Sequence, residues 1–336
     1  MKITVMLGGA SAERDVSIAS GMRVLDALRS RGHAVRAVDP SSGTVDDCTE
    51  QAYRERGVKR APPSLDELRR LSAAAFSPML VTLPEVRDAD VVFLCLHGGF
   101  GEDGTVQGLL DFAGVRYTGS GMLASAIAMD KDISKTLFRA SGVQTADWRM
   151  TPVSRDDAGA ALGFPLVVKP SKQGSTVGLT LVKDPARYDE AVREALRHDD
   201  EVIVEAFIPG RELTVAVLGD RALPVGEIIL THELYDYESK YTKGLASEVF
   251  PAALTAAQTA EVQRLALFAH RGLKLSGCSR IDFRMTSDSE FYCLEANTAP
   301  GMTTLSLVPQ AAEAAGLSFE DLCEEIVREA VEKDNG

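Results

Sequence analysis

Ser279-Arg280-Ile281-Asp282-Phe283-Arg284-Met285, followed after a short polar break by Phe291-Tyr292-Cys293-Leu294-Glu295-Ala296-Asn297-Thr298, is the stretch on which the fold reading turns. Side chains alternate across a strand, so Arg280 and Asp282 share one face, and Glu295 and Asn297 share one. Ser287-Asp288-Ser289-Glu290 supplies the turn chemistry of a hairpin between strands at 280–285 and 291–295. A hairpin of that kind belongs to an antiparallel sheet, which makes this half of the chain α+β rather than doubly wound. It also sets Asp282 and Glu295 approximately opposite each other. Two carboxylates and an amide oxygen on one face form a hard oxygen site suited to Mg²⁺. Without a cation such a pair would repel, or one member would hold a proton. The competing reading is a solvated acidic face with Arg280 as counter-ion. It accounts poorly for the interleaved apolar Ile281, Phe283 and Leu294, which imply that only one face is wet.

Outward from the hairpin, apolar patterning predicts strands at 212–218 and 223–229, a helix at 255–271, and closing helices near 306–315 and 319–331. Upstream lies a block of strands at 165–169, 179–182 and 202–207, with a helix at 185–196. The N-terminal part is different. Strands at 3–7, 34–38 and 91–96 alternate with a helix at 16–31, the pattern of an open, largely parallel α/β domain. Ligands of such sheets sit beyond the carboxyl ends of the strands, which puts 8–14 and 97–103 at the mouth of one crevice. Residues 41–90 are polar and broken by prolines, and read as a peripheral segment with one short helix near 65–71. Helices near 122–128 and 132–140 follow. The expected order is an α/β lobe and two α+β lobes, divided as 1–120, 121–207 and 208–336.

Gly99-Phe100-Gly101-Glu102-Asp103-Gly104 matches a dinucleotide fingerprint by letter, but two carboxylates would lie where a pyrophosphate belongs. No GK[ST] occurs, so a Walker loop is excluded. Lys169-Pro170-Ser171-Lys172-Gln173-Gly174-Ser175-Thr176-Val177-Gly178 reads as a strand end and a glycine-rich cover whose amides, hydroxyls and lysines suit a polyphosphate; an ordinary polar turn is the alternative. Pro300-Gly301-Met302-Thr303-Thr304 precedes a helix, so its amides could hold an oxyanion or simply cap that helix.

Composition narrows the classes. The 336 residues are 45% hydrophobic, 25% charged and 6% aromatic, the profile of a globular protein. Lys plus Arg number 36 against 49 Asp plus Glu, and a net charge of −13 disfavours nucleic acid and anionic membrane as partners. No stretch approaches the roughly 20 apolar residues of a membrane span. The apolar run at 3–7 is too short for a signal peptide. Five cysteines without a CxxC pair fit reduced structural thiols in the cytoplasm.

Taken together, these segments resemble the D-alanine–D-alanine ligases of the ATP-grasp superfamily from Gly8 to the C-terminus. The matching runs, in order, are LGGASAERDVS, LHGGFGEDGTVQG, YTGSG with AMDK, VVKPSKQGSTVG, YDYESKY, SRIDF and LEANTAPGMT-x-x-SLVP. The resemblance implies a three-lobed ATP-grasp fold with ATP between the second and third lobes. It implies phosphate contacts from Lys131, Lys169 and Lys240, adenine and ribose contacts from Glu205 and Glu212, and largely backbone contributions at Ala206 and Ile208. Asp282, Glu295 and Asn297 would ligate two Mg²⁺ (or Mn²⁺) ions. Glu13 would grip the ammonium of the first D-alanine, with His97 and Glu102 nearby, and Ser175 and Tyr241 would bond with Glu13 under a lid at 231–248. Arg280 and the Gly301 amide would stabilise the anionic intermediate, and Ser306 and Leu307 would hold the carboxylate of the second D-alanine. The implied product is D-alanyl-D-alanine for peptidoglycan, made through an acyl phosphate with release of ADP and phosphate. The implied assembly is a homodimer through the first lobe. Two alternatives remain: a related ligase forming a depsipeptide or using another second amino acid, and a non-catalytic nucleotide sensor. Loss of Asp282, Glu295 or Arg280 would have signalled the sensor, and all three are present.

Overall fold

Apolar residues near the N-terminus form β1 (Lys2–Met6), in which every residue after Lys2 except the buried Thr4 is an apolar core member. It is followed by α1 (Arg14–Ser30), β2 (Ala34–Asp39), β3 (Gly43–Val45), α2 (Asp47–Arg56), α3 (Leu65–Ser72), α4 (Pro84–Arg87), β4 (Val91–Leu94) and α5 (Thr105–Phe112). The strands assemble in the order β3-β2-β1-β4. β1 pairs parallel with β2 and β4, and β3 closes the edge antiparallel. This computed structural model describes residues 1–59, 63–72, 77–174, 176–230 and 246–332.

Residues 41–90 depart from the single short helix expected of them. β3 extends the sheet, and α2 is held against α1 by Arg29–Glu50, Arg54–Asp26 and Arg56–Asp15 ion pairs. Tyr53 of α2 reaches into the buried Arg14–Asp39 pair, donating to Asp39 Oδ2 at 2.7 Å. Polar composition hid these elements because their contacts are ionic rather than apolar.

Next come α6 (Met122–Met129), α7 (Lys131–Ala140), β5 (Trp148–Met150), α8 (Arg155–Leu162), β6 (Leu166–Pro170), β7 (Thr180–Val182), α9 (Tyr188–Ala195) and β8 (Val202–Ala206). β5-β8-β6-β7 form a second, antiparallel sheet, with Ala158, Tyr188 and Ala191 of its helices packed under Leu166, Val168 and Val204. β9 (Arg211–Leu218), β10 (Arg221–Ala222), β11 (Gly226–Leu230), β12 (Ala246–Val249), α10 (Ala256–Gly272), β13 (Cys278–Met285), β14 (Phe291–Asn297), α11 (Leu307–Ala314) and α12 (Phe319–Glu332) complete the chain. The third sheet runs β12-β11-β9-β13-β14, with β10 on β9. α10 begins at a capping box, with Thr255 and Gln258 bonded reciprocally. Ala124, Ala128 and Phe138 of α6 and α7 pack into the core of this third sheet. α11 and α12 share a core with α1.

Three expectations change. The strand expected at 223–229 starts instead at Gly226, after a turn from β10. β5, α8 and β12 are additional, and Ala246–Glu248, expected at the end of the lid, lie in a strand paired with β11. The third change is a bulge in the hairpin. Asp282 is opposite Glu295 as expected, but Phe283 is opposite Cys293, leaving Leu294 unpaired. The extra residue turns Leu294 off the dry face occupied by Ile281 and Phe283, both fully buried, and onto the wet one.

Four cysteines are packed away: Cys95, Cys278, Cys293 and Cys323 are at most 5% exposed, whereas Cys48 is on the surface. Burial pushes the Cys278 thiol up to about 12 and the other three buried thiols upward as well. In the native protein one thiol should therefore react rapidly with a thiol reagent at pH 8, and four more only on addition of denaturant. A second fast thiol in the native state would contradict this packing.

Candidate active site

Sheet alternation aims two sets of side chains at one cleft. In β6 and β8, Leu166, Val168, Val202 and Val204 fill the second lobe's core, which leaves Val167, Lys169 and Glu205 facing outward. In β9, Leu213 and Val215 point into the third lobe's core, which leaves Glu212 and Thr214 on the opposite face. β13 and β14 add Asp282, Arg284, Leu294 and Glu295, and the first residue of α7 adds Lys131. Ala206, Phe207 and Ile208, which link the lobes, form one wall. The cleft encloses about 960 Å³, its open mouth included.

Every acid in the cleft has a cation beside it. Lys169 Nζ lies 3.0 Å from Glu205 Oε2, and Lys135 Nζ lies 3.1 Å from Glu205 Oε1. Burial opposes ionisation of Glu205, but the two ammoniums outweigh it and hold the carboxyl down at about 2. Lys131 Nζ is 3.6 Å from Glu295 Oε2 and donates to the Gln173 carbonyl at 2.6 Å. Burial lowers the ammonium pKa of both Lys131 and Lys135, partly offset by Glu295 and Glu205 respectively. Arg284 Nη2 is 3.1 Å from Glu212 Oε2. Arg280 grips Asp282 with Nε and Nη2, while Thr214 Oγ1 and Asn297 Nδ2 donate to the same carboxylate at 2.7 and 3.1 Å.

Asp282, Glu295 and Asn297 thus stand together in strand register, as the hairpin reading requires. They are oxygen donors that are hard and mostly anionic, and Glu295 borders open cleft, so the set fits a divalent cation of the Mg²⁺ type. Among the described residues, no group of three or more His, Cys, Asp or Glu side chains forms an alternative metal site. Glu205 Oε1 is buried, and the Lys135 ammonium is its partner at 3.1 Å.

A second crevice lies where the first lobe meets the third. Gly98 N–H donates to Glu102 Oε2 at 2.6 Å, and burial with the nearby Glu13 carboxylate raises the Glu102 carboxyl to about 8. A Cβ on Gly98 would sit 3.6 Å from Glu13 Oε2, and one on Gly174 would sit 3.8 Å from the same atom. The glycine-rich cover therefore reaches across to the first lobe. His97 is buried, its Nδ1 donating to the Ala299 carbonyl at 2.9 Å; burial lowers its pKa. A Cβ on Gly301 would lie 2.7 Å from Ser306 Oγ, so the turn closes tightly on the start of α11. Ser306 Oγ accepts from the Thr303 amide at 2.9 Å. Leu307 is buried by its side chain and can offer a ligand only its backbone.

One part of the sequence reading needs amendment. Lys172 is not turned toward the cleft; it pairs with Asp200 and Glu201 at 3.2 and 3.0 Å, outside it. Gly99–Gly101 is a single short turn serving Glu102, not a phosphate loop. Ser175, Lys240, Tyr241 and residues 231–245 of the expected lid lie outside the described residues. Three residues went unread. Lys135 sits one helical turn after Lys131, a spacing that was legible. Ser20 and Arg23 were not: Ser20 Oγ accepts from the Met302 amide at 3.1 Å, and Arg23 Nη1 donates to the Met302 and Thr303 carbonyls at 3.2 and 2.9 Å.

Comparison with known proteins agrees with this layout. Residues 2–120 match the family described as D-ala D-ala ligase N-terminus, and residues 132–328 match D-ala D-ala ligase C-terminus. The chain is 42% identical to the D-alanine–D-alanine ligase of Geobacter sulfurreducens, over 100% of this chain and 96% of that one. It is also 42% identical to the ligase of an Anaeromyxobacter species, over 97% and 96%. A crystal structure of the Bacillus anthracis D-alanine–D-alanine ligase complexed with ATP superposes with a TM-score of 0.77 at 30% identity, covering 100% of this chain and 99% of that one. The Coxiella burnetii ligase superposes at 0.79 with 28% identity, covering 98% and 94%.

Arg23 ties the 301–306 turn to α1, so Arg23→Met should loosen it. Two hydrogen bonds of about 0.5–1.5 kcal/mol each are lost. Urea denaturation should show a destabilisation of that combined size, partly restored in Arg23→Lys. An unchanged midpoint would mean that Ser20 alone holds the turn.

Proposed function

The chain belongs to the D-alanine–D-alanine ligase family, whose members join two D-alanines at the expense of ATP for peptidoglycan synthesis, and from that premise we propose how its own residues divide the reaction. The observation that carries the proposal is the cleft in which register-paired Asp282 and Glu295 face Lys131 of α7 and Lys169 of the second sheet.

ATP lies between those sheets. Glu205 accepts from the adenine amino group, the backbone at Ala206 and Ile208 lines the base, and Glu212 takes the ribose. Lys131, Lys169 and Lys240 hold the phosphates. Asp282, Glu295 and Asn297 hold two Mg²⁺ (or Mn²⁺) ions, which when bound neutralise phosphate charge. In the other crevice Glu13 takes the ammonium of the first D-alanine, with His97 and Glu102 beside it and Ser175 and Tyr241 as partners of Glu13. A carboxylate is a poor electrophile, so the γ-phosphoryl group of ATP is transferred to it, giving an acyl phosphate and ADP. The amine of the second D-alanine, its carboxylate held at Ser306 and the Leu307 amide, attacks the acyl carbon. Arg280 and the Gly301 amide stabilise the tetrahedral oxyanion, and phosphate leaves. No protein nucleophile is required.

The functional lobes are taken as 1–120 for the first substrate, 121–207 for the nucleotide cover, and 208–336 for the metal ions and second substrate. The proposed setting is a cytoplasmic homodimer joined through the first lobe, whose surface carries the exposed Met79 and Phe112.

ADP release with Mg²⁺-ATP should occur with D-alanine and not L-alanine, and mass analysis should identify the dipeptide. Glu295→Gln or Asp282→Asn should abolish turnover while leaving the fold intact, because each replacement keeps the side chain's shape and an oxygen acceptor for its cation. Activity within about tenfold of wild type, about 1.4 kcal/mol of barrier, would overturn the metal-ligand assignment.

A further inference from the structure

Glu205 has two cationic partners, and they are not equivalent. Lys169 borders the cleft. Lys135 does not: its side chain is 1% exposed, it approaches Glu205 from behind, and it donates to Thr145 Oγ1 at 2.8 Å. Thr145 in turn donates to the Cys293 carbonyl at 2.7 Å, beside the bulge that carries Leu294. Trp148 lies under the ammonium, 5.3 Å from ring centroid to Nζ. Lys135 is thus fixed by α7, by Thr145 and by an aromatic face, with no route to a phosphate.

A triphosphate entering the cleft competes for Lys169 and would draw its ammonium away from Glu205. A carboxylate as buried as Glu205, 3% exposed, would then be left without compensation unless a second charge remains. We propose that Lys135 is a positioning residue: it keeps Glu205 ionised and aimed when Lys169 turns to the nucleotide, and through Glu205 it selects a purine bearing a 6-amino group. Without Lys135, Glu205 takes up a proton and turns once Lys169 leaves it. That weakens recognition of the base while the reacting atoms stay in place. The inference rests on the proposed contact between Glu205 and adenine.

The test compares ATP with purine riboside triphosphate, which lacks the 6-amino group, in wild type, Lys135→Met, Lys135→Arg, Glu205→Gln and Thr145→Val. The expected result is a preference for ATP in kcat/KM that falls about tenfold in Lys135→Met, the scale of one charge-assisted hydrogen bond. The change should lie in KM for ATP, with kcat at saturation nearly kept. Lys135→Arg should restore the preference, and Thr145→Val, which removes one partner of Lys135 along with the bond to the Cys293 carbonyl, should reduce it by less. Should Lys135→Met not fold, Thr145→Val and Lys135→Arg carry the same comparison. In a Glu205→Gln background, adding Lys135→Met should change the preference no further. Equal loss for both nucleotides in Lys135→Met, or a preference unchanged in Thr145→Val, overturns the role of Lys135. A preference unchanged in Glu205→Gln overturns the adenine contact itself.

Discussion

Charge balance inside a half-buried cleft is the constraint from which the rest of the site follows. Glu205, Glu212, Asp282 and Glu295 gather within one space, and each carboxylate would be costly there alone. The structure answers by placing a cation against each: Lys135 and Lys169, Arg284, Arg280 and Lys131. The same arrangement suits a nucleotide triphosphate with divalent cations, which brings both signs at once. Phosphates can draw the lysines while cations take the carboxylates, so neither set is left uncompensated when both arrive together.

Strand alternation makes this economical to build. A single face of β9, β13 or β14 carries the polar set, and the next residue along each strand enters the core. The exception is informative. The bulge opposite the Asp282–Phe283 step puts Leu294 on the wet face next to Glu295, adding to Val167, Phe207 and Ile208 an apolar contact of the kind a planar base needs. The dry face loses nothing, because Cys293 and Ala296 still close it.

Much of this was legible in the sequence, and what was missed has a common cause. The pairing of Asp282 with Glu295 is legible as a period of two and a four-residue turn, although the structure reaches it through the longer connection 286–290 together with the bulge. The strands carrying Lys169 and Glu205 are likewise local apolar runs. Leu294 reads as a dry-face residue because a bulge adds one residue without changing the alternation seen in letters. Lys135 was visible as a helical neighbour of Lys131, but its carboxylate partner is 70 residues away in sequence (205 − 135) and only the packed sheet joins them. Residues 41–90 looked peripheral because α2 is fastened by arginine–carboxylate pairs, and mixed charge reads as surface.

The first lobe is joined to the third by polar bonds that converge on one turn, and this has a chemical consequence. His97 reaches the Ala299 carbonyl, Ser20 the Met302 amide, and Arg23 the carbonyls of Met302 and Thr303. All three come from the lobe that carries Glu13, and all three fix the segment that carries the Gly301 amide and Ser306. A backbone amide can stabilise an oxyanion only if its direction is set before charge develops, since reorienting a dipole during the reaction costs what the interaction would supply. Gly301 has no side chain with which to anchor itself, and the close approach of Ser306 leaves no room for one. Its direction must therefore be imposed by neighbours. Ser20 and Arg23 impose it from α1, the same helix whose N-cap is Glu13. The residue that would hold one substrate and the amide that would stabilise its reacting carbonyl are thereby referenced to a single rigid element, although 288 positions separate them in sequence (301 − 13).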